Sequence, residues 1–217
     1  MEVIYEDDDI LVIDKPAGQA TQSSRIGEKD LESECRKYRK QKGESPEIYV
    51  VHRLDQPVSG LLLFAKNKNA AAVLSKDMQQ FGFIKEYKAR VLKPEQGFVS
   101  INHLEDYLIK DSKSNTSRVA KSSTDPGAKR AALSYVTTGE DEETAEVLIK
   151  LDTGRHHQIR VQFANAGMPL LGDLKYGSEK SKMLSGVLGI NSVCLRAYRL
   201  TFRHPTSHKE MEFVLNR

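Results

Sequence analysis

The sequence has no tryptophan, only two cysteines, and no apolar run near the ~20 residues that a membrane-spanning helix needs. Cys35 and Cys194 lie far apart and form no metal-type spacing, so each is expected as a free thiol in a reducing compartment. His156-His157 lacks a third ligand at zinc-like spacing, so no metal is expected. A nucleotide loop is missing too: the glycines at 172 and 177 imitate its opening, but Ser178 stands where the lysine is required. Lys182-Met183-Leu184-Ser185 lacks the second lysine of a synthetase signature. The start, Met1-Glu2-Val3-Ile4-Tyr5-Glu6-Asp7-Asp8-Asp9, is too acidic for a signal or transit peptide. What survives these exclusions is a globular chain expected in the cytoplasm, where the glycosylation triplet Asn115-Thr116-Ser117 has no use.

At 217 residues the chain is long enough for one sizeable core and short for two, so a single catalytic domain over 1–217 is expected. The net charge of +3 is a weak signal, and its distribution says more. Acids crowd the first nine positions and recur at Glu140-Asp141-Glu142-Glu143. Basic residues gather at Arg36-Lys37-Tyr38-Arg39-Lys40-Gln41-Lys42. They gather again across 110–130, where Lys110, Lys113, Arg118, Lys121, Lys129 and Arg130 oppose Asp111 and Asp125. Such a separation suits one face toward phosphate and another toward water, although each run taken alone is equally well a solvated face.

Short apolar runs bounded by turn residues predict strands at 3–5, 10–14, 48–51, 61–65, 83–92, 103–109, 132–138, 146–152, 193–202 and 211–215. Helices are predicted over 31–42 behind an Asp30 cap, from Asn67 or Asn69 to 80, and over 156–166. The first would bury Leu31, Cys35 and Tyr38 and expose its basic run; the second would pack Ala71, Leu74, Met78 and Phe81. The Ser, Thr, Lys, Pro and Gly of 110–127 predict a long mobile loop. In the strand at 83–92, alternation puts Lys85 and Tyr87 on one face.

Two stretches carry chemistry. In Val51-His52-Arg53-Leu54-Asp55-Gln56-Pro57-Val58-Ser59-Gly60 a single carboxylate sits on a turn at the mouth of the apolar run Leu61-Leu62-Leu63-Phe64-Ala65. By composition this is ordinary turn chemistry. The second stretch, Gly154-Arg155-His156-His157-Gln158-Ile159-Arg160-Val161, follows a strand and opens a helix, with Gly154 allowing the bend. Arg160 lies beside a core position, so its charge is either paired or reaches out to water.

The first stretch resembles the catalytic motif of the RluA-type pseudouridine synthases, His-Arg-Leu-Asp, two variable positions, Thr-Ser-Gly and an apolar strand. Val58 stands where many members carry Thr. Four further segments resemble the family in the same order: Lys15-Pro16-Ala17-Gly18, the Arg155–Arg160 stretch, Gly167-Met168-Pro169-Leu170-Leu171-Gly172-Asp173-Leu174-Lys175-Tyr176-Gly177, and Cys194-Leu195-Arg196-Ala197 with His204-Pro205. Arg196 stands where many members have His.

The resemblance implies an α+β domain on a mixed, mostly antiparallel bent sheet flanked by helices, its cleft across the middle. It implies an RNA-modifying isomerase that needs no cofactor and converts uridine in ribosomal or transfer RNA to pseudouridine. Asp55 would act at the anomeric carbon, by a sugar ester or by removing a sugar proton. Arg160 would pair with that carboxylate, and Tyr87 would stack on the detached uracil. Arg53 would fill the space left by the flipped base or grip a phosphate. Leu195 would line the pocket, while His52, Lys15 and Arg155 would contact RNA. A monomer is expected. Two readings compete: a glycosidase-like RNA or nucleoside hydrolase releasing free uracil through Asp55, and a non-catalytic RNA-binding protein or chaperone with a disused pocket; apart from the resemblance, Tyr87 reads as a half-buried core tyrosine.

Overall fold

The structure is a computed structural model that describes residues 1–23, 29–80, 82–94, 97 and 101–215. Its elements in chain order are β1 (Glu2–Glu6), β2 (Ile10–Lys15), α1 (Leu31–Gln41), β3 (Tyr49–Val50), β4 (Ser59–Ala65), α2 (Lys68–Gln79), β5 (Ile84–Leu92), β6 (Ile101–Asp111), β7 (Thr116–Val119), β8 (Lys129–Glu140), β9 (Thr144–Leu151), α3 (Gln158–Asn165), α4 (Glu179–Val187), β10 (Leu195–Arg203) and β11 (Glu210–Val214). The chain divides into two compact units, 1–85 with 196–217, and 86–195. Among the described residues the pairing within each unit is antiparallel except between β4 and β10, the mixed, mostly antiparallel α+β pattern expected.

In the first unit β4 is central. It pairs with β2 from Ile10↔Ala65 to Lys15↔Gly60, with β3 at its far end, and with β10 at Ser59 and Gly60. The apolar runs of β2 and β4 are buried along their whole length, because they are covered on both faces. Ala70 and Leu74 of α2 pack on this core one helical turn apart, and Phe83 stacks on Phe202 at 5.5 Å. Both helix starts follow the sequence: Asp30 accepts from the Ser33 amide at 2.8 Å and Asn67 from the Ala70 amide at 2.9 Å. The expected packing of Phe81 lies outside the described residues.

In the second unit the strand order is β5-β9-β8-β6-β7. The predicted long loop at 110–127 is corrected over its first part, whereas residues 120–127 lie outside any strand or helix. Residues 110 and 111 close an 11-residue β6, and Thr116–Val119 returns against it as β7. The polar residues of 110–119 are those of a hairpin edge, where one face of each strand meets water. Helix α3 starts two residues later than predicted, because His157 adopts the left-handed conformation (φ 55°). Helix α4 escaped the sequence reading altogether. It buries Ser181 and Ser185 and turns Met183 and Val187 outward, the reverse of the stripe that periodicity detects.

Candidate active site

Asp55 stands at the start of a tight turn closed by the Val58 amide, which donates to the Asp55 carbonyl at 3.0 Å. The residue before it is pinned from both sides. The Thr21 hydroxyl donates to the Leu54 carbonyl (3.0 Å) and accepts from the Leu54 amide (3.2 Å), and both residues are buried. The turn itself is filled by Lys15, whose Nζ donates to the carbonyls of Val58 (2.6 Å), Pro16 (2.9 Å) and Gln56 (3.1 Å). Gly18, at φ 87°, completes the brace: its amide donates to the Gln56 carbonyl at 2.8 Å, and Gln56 Nε2 donates back to the Gly18 carbonyl at 3.0 Å. Two motifs far apart in sequence therefore form one loop, with its backbone polar groups satisfied beneath a half-buried carboxylate.

This geometry corrects two expectations. Lys15 has no exposed surface and cannot reach a phosphate; burial pulls its ammonium down to about 8, and the negative charge of Asp55 opposes the shift. His52 is also interior. Its Nε2 accepts from the Leu63 amide at 3.2 Å, and burial, with the Lys85 charge second, holds it near 3. It is a neutral brace between the turn and β4, not an RNA contact. Arg53, by contrast, is exposed. Val58 is buried, with its carbonyl accepting from Lys15 Nζ. Beyond it the backbone leaves no space at Gly60, φ 115°, where a Cβ would stand 2.2 Å from the Ala197 carbonyl oxygen. Arg196, beside that contact, pairs with Asp14 at 2.5 Å.

The second unit presents the other motif. Arg160 is buried, and its Nε and Nη2 grip the two oxygens of Asp173 at 2.7 Å each. The resemblance implied Asp55 as the partner carboxylate; within its own unit Arg160 has Asp173, named above only within the Gly167–Gly177 segment and given no role there. The Asp173 carboxylate also accepts the amides of Lys175 (3.0 Å) and Tyr176 (3.1 Å). Burial opposes the charge of Asp173, but the Arg160 fork and the two amides outweigh it and hold the carboxyl below its usual range. The Tyr176 ring lies over the guanidinium at 5.0 Å. Tyr87 and Leu195 are buried in their strands. Arg155 is exposed, its Nε tied to the Arg130 carbonyl at 2.8 Å.

The charge runs are less free than they look in the sequence. Arg39, expected on the exposed face of α1, is buried and donates to the carbonyls of Glu47 and Lys66 (3.0 Å for the latter), because it follows Leu31 and Cys35 at helical spacing. Lys42 pairs with Glu6, and Arg36 with Glu32. The acidic N-terminus works internally as well: Asp7 accepts the amides of Asp9 and Ile10, and Glu6 accepts from Lys66. Exposed cations remain on the β6–β7 hairpin at Lys110, Lys113 and Arg118. Among the described residues no His, Cys, Asp and Glu cluster could hold a metal ion. No helix of the described residues is long and apolar enough to cross a membrane.

Comparison with known proteins bears on the Asp55 motif directly. The family model for RNA pseudouridylate synthase matches residues 9–165. A dual-specificity RNA pseudouridine synthase RluA of Vibrio parahaemolyticus is 33% identical over 95% of this chain and 79% of its own length. A tRNA pseudouridine synthase C of Haemophilus ducreyi is 30% identical over 94% of this chain and 86% of its own. The solved structure of human RNA pseudouridylate synthase domain containing 1 superposes with a TM-score of 0.78 at 24% identity, covering 100% of this chain and 83% of that one. With the family model spanning the braced Asp55 turn and the Arg160 helix, this chain belongs to the RluA-type RNA pseudouridine synthases, isomerases that convert uridine in RNA to pseudouridine.

Proposed function

We propose that this enzyme modifies uridine in ribosomal or transfer RNA, with both units acting as one catalytic domain over 1–217 and Asp55 as the reacting carboxylate. The single observation that carries the assignment is the brace under Asp55. A turn whose carbonyls are held by a buried lysine and whose entry is clamped by a threonine keeps one carboxylate in place, as a reaction at a fixed sugar carbon demands. The relatives named above support the substrate class: one is a dual-specificity RNA enzyme and one a tRNA enzyme.

In this reading the target nucleotide flips out of its stack, at a cost of a few kcal/mol, and Arg53 occupies the space it leaves. Asp55 acts at C1′ while the bond from C1′ to N1 breaks. The uracil turns against Tyr87, C1′ joins C5, the proton on C5 leaves and N1 gains one, so no atom is lost overall. Arg160 supplies the counter-charge to Asp55, Leu195 lines the pocket, and Arg155 with the hairpin cations holds phosphates. The reaction balances without oxidant, energy source or metal. A cytoplasmic monomer completes the proposal.

The test is to incubate purified protein with cellular ribosomal and transfer RNA and map pseudouridine at nucleotide resolution. Wild type should create pseudouridine at defined positions, and Asp55→Asn should create none while binding the same RNA. Release of free uracil by wild type would instead establish the hydrolase reading.

A further inference from the structure

We infer that Tyr176 is a positioning residue for Arg160, and that through it the grip of the β6–β7 hairpin on RNA reaches the active site. This rests on the role proposed for Arg160 above. Asp173 fixes the guanidinium within its plane by two hydrogen bonds, and the guanidinium carbon lies over the Tyr176 ring, 5.0 Å from its centroid. What fixes the ring is its hydroxyl. It accepts from the Ser117 amide of β7 at 2.8 Å and shares a hydrogen bond of 2.6 Å with His157 Nδ1. His157 packs against the ring edge-on, and burial keeps its imidazole neutral, near 3.

Ser117 lies opposite Lys110 in the hairpin and beside Arg118, both exposed. Further ties run from the hairpin to the same two segments: Ser117 Oγ to His156 Nδ1 (2.9 Å), Asn115 Oδ1 to His156 Nε2 (3.2 Å), and Lys175 Nζ to the Asn115 carbonyl (2.8 Å). A hairpin held down by phosphates thus holds Ser117, Ser117 holds the Tyr176 hydroxyl, and the ring holds Arg160. A bolted edge strand of this kind links RNA affinity to turnover.

The experiment is a double-mutant cycle on the mapped RNA, with kcat and KM measured separately. Tyr176→Phe, which removes the hydroxyl and keeps the ring, should lower kcat about tenfold with KM within about twofold. Lys113→Gln with Arg118→Gln should raise KM and lower kcat in the wild-type background, but lower kcat no further beside Tyr176→Phe. Lys175→Met, which cuts a parallel tie, should show the same kcat loss in smaller measure. The inference is overturned if Tyr176→Phe keeps wild-type kcat, or if the kcat losses multiply independently. Exchange of the Arg160 Nε–H, followed by NMR, reads the positioning without turnover. RNA should slow it in wild type and not in Tyr176→Phe, and equal slowing in both sinks the proposal. An active enzyme with unaltered exchange defeats this inference alone, whereas wild type that forms no pseudouridine defeats the proposed function.

Discussion

At the residue scale, Lys15 shows how a charged side chain can serve a site without touching its ligand. Its three carbonyl acceptors belong to the loop that carries Asp55. Lys15→Met takes this donor from the Val58 and Pro16 carbonyls, while the Gln56 carbonyl keeps the Gly18 amide, and each buried acceptor left without a donor costs about 1–3 kcal/mol. Thermal melts should record that loss, and pseudouridine yield should fall with it. RNA binding should keep the wild-type salt slope, since no phosphate contact is removed; a slope smaller by about one would return Lys15 to the RNA interface. His52 makes a prediction in pH. Its ordinary value of 6.5 falls to about 3 on folding, so unfolding takes up a proton anywhere between the two. Stability from this group is therefore complete above pH 6.5 and declines as the pH falls toward 3. His52→Gln keeps an acceptor for the Leu63 amide and removes the proton uptake. Urea melts between pH 7 and 4 should show a shallower loss for the variant.

At the scale of elements, α1 and the β6–β7 hairpin exchange the roles that their composition suggests. The basic run of α1 contains a buried anchor, Arg39, beside exposed Lys40. Arg39→Ala strands the Glu47 and Lys66 carbonyls and should cost about 3 kcal/mol, whereas Lys40→Ala should stay within about 0.5. Denaturant titration of the two variants decides it, and equal costs would return Arg39 to the surface. The hairpin, read from its composition as a loose loop, is an ordered edge tied to α3 and the Asp173 turn. Arg118→Gln should weaken RNA binding and lower the log–log salt slope by about 0.7–0.9. Helix α4 explains its own invisibility. Its inward face is two serines, with Ser185 Oγ accepting from the Gly172 amide at 2.8 Å, so small polar residues do the packing that apolar ones usually do.

At the scale of the whole molecule, family membership and the braced loop bear on one reaction, and its bookkeeping can be checked by mass. RNA treated with the enzyme should keep its mass and release no base, because the uracil is reattached through carbon. Apart from β7 and α4, the strands, the helices capped by Asp30 and Asn67, and the Asp55 motif were legible in the sequence by itself. Apolar runs that are short and continuous have few ways to be buried, and Asp or Asn ahead of a helix has one evident use. The resemblance rested on motifs of this local kind. Only the tertiary structure decided what each polar residue does: that Lys15 and His52 face inward, that Thr21 clamps Leu54, and that Asp173 and Tyr176 hold Arg160. The physical reason is that a charged or hydroxylated side chain reads the same in sequence whether it meets water, phosphate or a buried carbonyl. Its role is set by partners that lie tens of residues away and come within 3 Å only when the chain has folded.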